Sequence, residues 1–184
     1  MSLLIRAASE NDLDAIVEIY RHSVEHGTAT YELTVPDHAE MTRRFTALTS
    51  QNYPYLIAEE DGEILGYAYA GPFRPRPAYR WSVEDSIYLS PSAQGKGVGY
   101  KLLVDLIKAS KDRGFRQMIA VIGGASAASI AVHAKAGFEH SGVMKATGYK
   151  HGKWLDTTIM QLALGEGQET DPDIDTYPGN LYKD

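Results

Sequence analysis

Trp81-Ser-Val-Glu-Asp-Ser-Ile-Tyr-Leu-Ser-Pro-Ser-Ala-Gln-Gly-Lys-Gly-Val-Gly-Tyr-Lys101 joins a strand pattern, a glycine-rich turn and the start of a helix. Ser82 to Leu89 carries the β-favouring side chains Val83, Ile87, Tyr88 and Leu89. Ser90-Pro91 ends the strand, because proline has no N–H for a ladder. Gly95, Gly97 and Gly99 follow at alternate positions. An amphipathic helix comes next, with Leu103, Leu106 and Ile107 on one face and Gly114 as its stop. Glycines before a helix let consecutive N–H groups turn towards one point, where the helix dipole adds positive potential. Such a turn is an anion site suited to phosphate or pyrophosphate. Two nucleotide-binding patterns fail on spacing. G-x-G-x-x-G would need glycine where Tyr100 stands, and no register supplies G-x-x-x-x-G-K-[ST].

On the N-terminal side, Leu3 to Ala7 reads as a strand. Ser9-Glu-Asn-Asp12 is a capping box before a helical stripe of Leu13, Ile16, Val17, Tyr20 and Val24, which Gly27 stops. Thr28 to Pro36 is a β-branched loop containing Tyr31, and a second helix is predicted from about Asp37 to Ser50. Tyr55 to Glu59 and Ile64 to Ala70 form a hairpin across Asp61-Gly62, and Gly71 to Ala78 is a proline-rich loop. On the C-terminal side, Phe115 to Ile122 is an apolar strand and Ser126 to Ala136 a helix. Phe138 to Gly142 and Tyr149 read as parts of strands, and Trp154 to Leu164 as a long last strand. Met41, Met118, Met144 and Met160 are expected in the core.

The 184 residues fit one domain over 1–164 with an acidic tail over 165–184. Of the net charge of −6, the tail holds Glu166, Glu169, Asp171, Asp173, Asp175 and Asp184 against Lys183, leaving a nearly neutral body. That balance gives no reason to expect nucleic acid. The tail reads as loosely held, or as a strap laid on a neighbouring subunit through Ile174, Tyr177, Leu181 and Tyr182. The absence of cysteine excludes disulfides and thiol catalysis. No apolar run approaches the roughly 20 residues of a membrane span, so no membrane partner is expected, and the expected compartment is the cytoplasm. His22-Ser-Val-Glu-His26 matches H-x-x-E-H, but His22 lies roughly 200° from Tyr20 on the helix, towards solvent, and no third ligand is evident. No metal is expected.

Gln94-Gly-Lys-Gly-Val-Gly99 resembles the pyrophosphate loop of the GCN5-related N-acetyltransferases (GNAT), and the element order β-α-α-β-β-β-α-β-α-β-β is similar to theirs. Tyr69-Ala-Gly-Pro-Phe73, Trp81-Ser-Val-Glu84 and Gly148-Tyr-Lys-His-Gly-Lys-Trp154 resemble the phosphinothricin/methionine sulfoximine N-acetyltransferase group. The resemblance extends to about Leu164. It implies an α/β (α+β) fold with a mixed, mostly antiparallel central sheet flanked by helices. It also implies acetyl-CoA as co-substrate, a small amine as acceptor, and a homodimer.

The same resemblance distributes roles. Gln94, Gly95, Lys96, Gly97, Val98 and Gly99 would hold the diphosphate, and the backbone at Ile87, Tyr88 and Leu89 the pantetheine arm, added like a strand. Ser126 stands where many relatives have an asparagine that touches the arm, and it can still cap the helix. Glu84 is the expected general base, and Asp85, on the opposite face by alternation, is read as structural. His133 occupies the place of a thiolate-protonating tyrosine, able either to do that work or to relay protons with Glu84. Arg74, Arg76 and Arg80 cluster in the proline-stiffened loop; Arg74 and Arg80 are the expected carboxylate or phosphinate clamps, with Tyr31 and Trp81 as pocket walls. A polyamine or a protein N-terminus is the other acceptor class that the family would allow, and a non-catalytic acyl-CoA-binding module the other function.

Overall fold

Alternating side chains on Ser82–Leu89 face two different interiors, and the two cores of the protein follow from that. The computed structural model describes residues 3–176 and 178. Its strands are β1 (Leu4–Ala7), β2 (Tyr55–Glu60), β3 (Glu63–Pro72), β4 (Ser82–Leu89), β5 (Gln117–Gly123), β6 (Glu139–Lys150) and β7 (Lys153–Ala163). The helices are α1 (Leu13–His26), α2 (His38–Thr49), α3 (Val98–Asp112) and α4 (Ala127–Lys135). The sheet runs β1-β2-β3-β4-β5-β7-β6, with β4 and β5 parallel and every other pair antiparallel. The fold class is the one predicted.

Helices α1 and α2 cover one face, where Leu13, Ile16, Tyr20, Met41 and Phe45 meet Ile57, Tyr67 and Tyr88. On the other face, Leu102, Leu103 and Leu106 of α3 pack with Ala68, Val83, Met118 and Ile122. The capping box forms as read: Asp12 accepts from the Ser9 N–H at 2.7 Å, and Arg6 holds the same carboxylate at 2.8 Å. The two strand fragments predicted after Phe138 are one strand, β6, whose register against β7 slips at His140/Gly142 and Met144/Gly148. Those irregularities break the period-two signal on which the sequence reading relied. They also leave Met144 exposed rather than in the core. Beyond Leu164 the chain is tied down: Arg116 donates to the Thr170 hydroxyl at 2.9 Å and the Asp171 carbonyl at 3.1 Å. Tyr177, Leu181 and Tyr182, the other proposed strap contacts, lie outside the described residues. No described helix is long and apolar enough to cross a membrane.

Candidate active site

Strands β4 and β5 begin side by side and then part. Their pairing runs from Ser82↔Gln117 to Asp85↔Ala120 and stops, although β4 continues to Leu89 and β5 to Gly123. A cleft of about 1400 Å³ occupies the gap, lined by Ile87, Tyr88 and Leu89 from one strand and Val121, Ile122 and Gly123 from the other. Parted strands present main-chain groups that an extended ligand can pair with.

The glycine loop closes one end. Gly95 and Gly97 have φ of 74° and 80°, a left-handed conformation that other residues adopt at a cost. Gly97 is the N-cap of the 15-residue α3, so the first-turn N–H groups, which have no intrahelical acceptor, point out of the loop. Gln94, Gly95, Gly97 and Gly99 line the cleft; Lys96 and Val98 do not. Val98 is a core side chain at 3% exposure, leaving only its N–H to the loop. Ser126 caps α4 by accepting from the Ser129 N–H at 3.4 Å and also lines the cleft.

Glu84 and Asp85 sit where the strands divide, and alternation sends them to opposite faces. The Glu84 carboxyl is pushed up to about 7, first by burial and then by the neighbouring Asp85 charge, with Arg74 opposing. Arg74 lines the cleft with Phe73, over whose ring its guanidinium lies at 4.8 Å. Asp85 is 7% exposed and its Oδ2 lies 2.9 Å from Nε2 of His133. His133, also buried and lining the cleft, therefore meets Asp85 and not Glu84, its partner in one of the two roles read for it. The reason is the pleat: α4 packs on the face to which Asp85 points.

Arg80 and Trp81 are not among the cleft-lining residues. The turn at Pro77–Tyr79 redirects the chain, so that Nε of Arg80 donates to the Pro77 carbonyl at 3.2 Å and its guanidinium lies over Trp81, 5.4 Å from the ring centre. Trp81 contributes its carbonyl, which accepts from the N–H of Arg116 at 2.8 Å. Tyr31 does line the cleft, but its hydroxyl belongs to the fold. It lies 2.8 Å from the Thr157 hydroxyl, donates to the Asp156 carbonyl at 3.1 Å and accepts from the Gly124 N–H at 3.1 Å.

The Gly148–Trp154 motif explains how the 27–31 loop is seated. A Cβ on Gly148 would stand 2.6 Å from Cε2 of Tyr31. Lys150, 4% exposed, donates from Nζ to the Thr30 carbonyl at 2.8 Å, and Nε2 of His151 lies 3.2 Å from the Gly27 carbonyl. Sequence reasoning missed Lys150 as a positioning group, because its partner lies 120 residues away. The available signal was the Gly148–Trp154 motif that contains this lysine. The His22 and His26 rings are tilted at 57° with centroids 4.6 Å apart, and among the described residues no group of three potential ligands is placed to hold a metal ion.

A parted parallel pair, a left-handed glycine loop at a helix start and a raised carboxyl at the fork meet in one cleft on a mixed sheet. The chain belongs to the GNAT family: residues 5–159 match the family model described as Acetyltransferase (GNAT) domain. It is similar to a GNAT-superfamily phosphinothricin acetyltransferase from Sinorhizobium meliloti, solved in complex with acetyl-CoA. The two are 55% identical with a TM-score of 0.97, and the match covers 100% of both chains. It is 45% identical to the phosphinothricin N-acetyltransferase of Alcaligenes faecalis, over 92% of this chain and 86% of that one. To the L-methionine sulfoximine/L-methionine sulfone acetyltransferase of Pseudomonas paraeruginosa it is 43% identical, over 89% of this chain and 96% of the other.

Proposed function

We propose that this protein transfers the acetyl group of acetyl-CoA to the α-amino group of a small amino-acid analogue of the phosphinothricin, methionine sulfoximine or methionine sulfone type. The observation that carries the reading is the meeting, in one cleft, of a raised Glu84 carboxyl with Arg74 at the fork of β4 and β5. Residues 1–164 form the catalytic domain in this reading. Acetyl-CoA supplies a thioester whose carbonyl carbon is open to attack by an amine, with loss of the thiol. The N–H groups from Gln94 to Gly99 hold its diphosphate, and the β4 backbone at Ile87, Tyr88 and Leu89 aligns its arm. An N–H near Leu89 donates to the carbonyl oxygen as charge develops there. Glu84 takes the proton of the attacking amine, for which a value near neutrality is suited.

Arg74 pairs with the acidic end of the acceptor. A charge-assisted hydrogen bond contributes roughly 1.5–3 kcal/mol, and 1.4 kcal/mol is about a tenfold change in affinity. Arg74→Ala is therefore expected to raise the acceptor KM about tenfold or more while leaving the acetyl-CoA KM within about twofold. An unchanged acceptor KM in steady-state assays removes Arg74 from the clamp. Lys150 acts at one remove, by seating the 27–31 loop. Removing a buried donor leaves the Thr30 carbonyl short of a partner at about 1–3 kcal/mol. Lys150→Met should raise the acceptor KM several-fold with kcat nearly constant, and equal losses in kcat and KM would refute a seating role.

Free-thiol release with a panel of amines tests the reading as a whole. Turnover with phosphinothricin or methionine sulfoximine is expected. Turnover with polyamines alone would move the acceptor class, and binding of acetyl-CoA with no thiol release would leave a non-catalytic module. The protein is further proposed to work as a cytoplasmic homodimer, without nucleic acid or membrane. Val143, Met144, Tyr149 and Trp154 leave an apolar surface on the β6–β7 hairpin, with Trp154 67% exposed, which suits a second copy. Light scattering at micromolar concentration measures the mass directly.

A further inference from the structure

The one buried ion pair at the fork is unused by the chemistry just described. Asp85 is the last residue of β4 that pairs with β5, and its carboxylate crosses to His133 on α4. Side-chain exposure is 3% for Asp85 and 5% for His133. Both ring nitrogens face acceptors: Nδ1 lies 2.7 Å from the Ser129 carbonyl, and Nε2 lies 2.9 Å from Oδ2 of Asp85. A carbonyl can only accept, so Nδ1 carries a proton. A neutral ring would then turn the bare lone pair of Nε2 towards a carboxylate oxygen, and two acceptors at that distance repel. A second proton on the ring removes the conflict and gives an imidazolium–carboxylate pair.

Burial alone would lower the His133 value; the hydrogen bond and charge of Asp85, with the Ser129 carbonyl, outweigh it and raise it. The other charged groups nearby do not compete for the ring. Glu84 alternates to the other face of β4, the charge of Arg74 acts on Glu84, and Lys135 of α4 sits over the Tyr100 ring at 4.2 Å. Phe138 closes the remaining side, edge-on at 5.0 Å. Oδ1 of Asp85 is buried with no hydrogen-bond partner among the described residues, so His133 is the group that offsets this carboxylate's charge.

We propose that Asp85 is a positioning residue for the acetyl transfer: it holds His133 as a fixed imidazolium that fastens α4 to β4 at the point where β4 and β5 part, and both ring protons stay on the ring through the reaction. The inference rests on the acetyl-transfer reading above. Proton balance permits it. Amide formation releases one proton from the amine nitrogen, and the departing sulfur needs one, so the proton held by Glu84 suffices without a second donor. His133 contributes a permanent positive charge on the α4 side of the fork and a set width to it.

The test has two independent arms on the full-length protein. In ¹⁵N spectra of the histidine-labelled wild type, both His133 ring nitrogens are expected at imidazolium shifts from pH 6 to 8. A ring that is neutral throughout that range, or that titrates near 6.5 as an exposed histidine does, would overturn the pairing. In kinetics, Asp85→Asn is expected to return the ring to the neutral state and to lower kcat about tenfold or more per folded molecule, with the pH profile's acid limb shifted to lower pH. Asp85→Asn protein with wild-type kcat, or with losses that only track its melting temperature, refutes the positioning role. If Asp85→Asn does not fold, Asp85→Glu, which keeps the charge but displaces it, is expected to retain the imidazolium signature and lose kcat; unchanged kcat overturns the proposal. Thiol release by the wild type tests the acetyl-transfer reading by itself, so either claim can fail alone.

Discussion

Glu84→Gln is expected to lower kcat/KM for the acceptor by about 10²-fold or more at pH 7.5, the lower part of the range for loss of a general base. Glutamine keeps the shape and polarity of the side chain, so acetyl-CoA affinity should stay within about twofold. The wild-type profile should rise with pH through about 7, where the buried carboxyl loses its proton, and then level. In Glu84→Gln that limb should vanish. Full turnover by the variant across pH 6–9 would exclude Glu84 as the base.

The same carboxyl makes a stability prediction of definite sign. Its folded value of about 7 lies above the unfolded value near 4.3, so the native state binds the proton more tightly. That favours folding fully below about pH 4.3, and the advantage fades as pH rises through 7. Glu84→Gln is not ionised in either state. Its melting temperature should exceed that of the wild type at pH 8, with the gap closing towards pH 5. A more stable, inactive variant is the signature of a carboxyl kept out of water for function. A variant that melts lower at pH 8 contradicts this.

Gly97→Val should weaken acetyl-CoA binding about 10²-fold. At φ 80° a β-branched residue is a genuine outlier, and the cost is roughly 1–2 kcal/mol before any clash. The space around Gly97 is open, so the effect comes from the backbone, which must leave the left-handed region and swing its N–H groups off the diphosphate. Two charge-assisted hydrogen bonds at roughly 1.5 kcal/mol each account for the predicted factor. Gly97→Ala should fall between the two proteins. Isothermal calorimetry with acetyl-CoA measures the constants, and a Gly97→Val protein that binds as the wild type does would move the diphosphate elsewhere. Because the strain is confined to one turn, α3 should persist by circular dichroism.

Much of this was legible in the chain. The order of strands and helices was readable because the periods that reveal them are local: alternation on β4 and a three-to-four-residue stripe on α1 and α3 need no distant partner. The glycine loop was readable for the same reason, since positive φ is a property of single residues. Alternation also predicted that Glu84 and Asp85 part company. It did not reveal which of the two would receive His133, 48 residues later in sequence. Nor did it reveal that Arg80 and Trp81 lie outside the cleft lining, because a single turn at Pro77–Tyr79 decides where a loop aims, and loop residues carry no period.

What the amino-acid order determined by itself, then, was the list of elements, the left-handed turn ahead of α3 and the family to which both belong. The tertiary structure alone decided where the β4–β5 pairing ends, which carboxylate the buried histidine meets, and how Lys150 and Gly148 seat a loop from the other end of the chain. The physical reason is range. Backbone preference and hydrophobic period act over a few residues, whereas a fork in a sheet and a buried ion pair arise only after long-range packing has removed water and brought distant groups within about 3 Å.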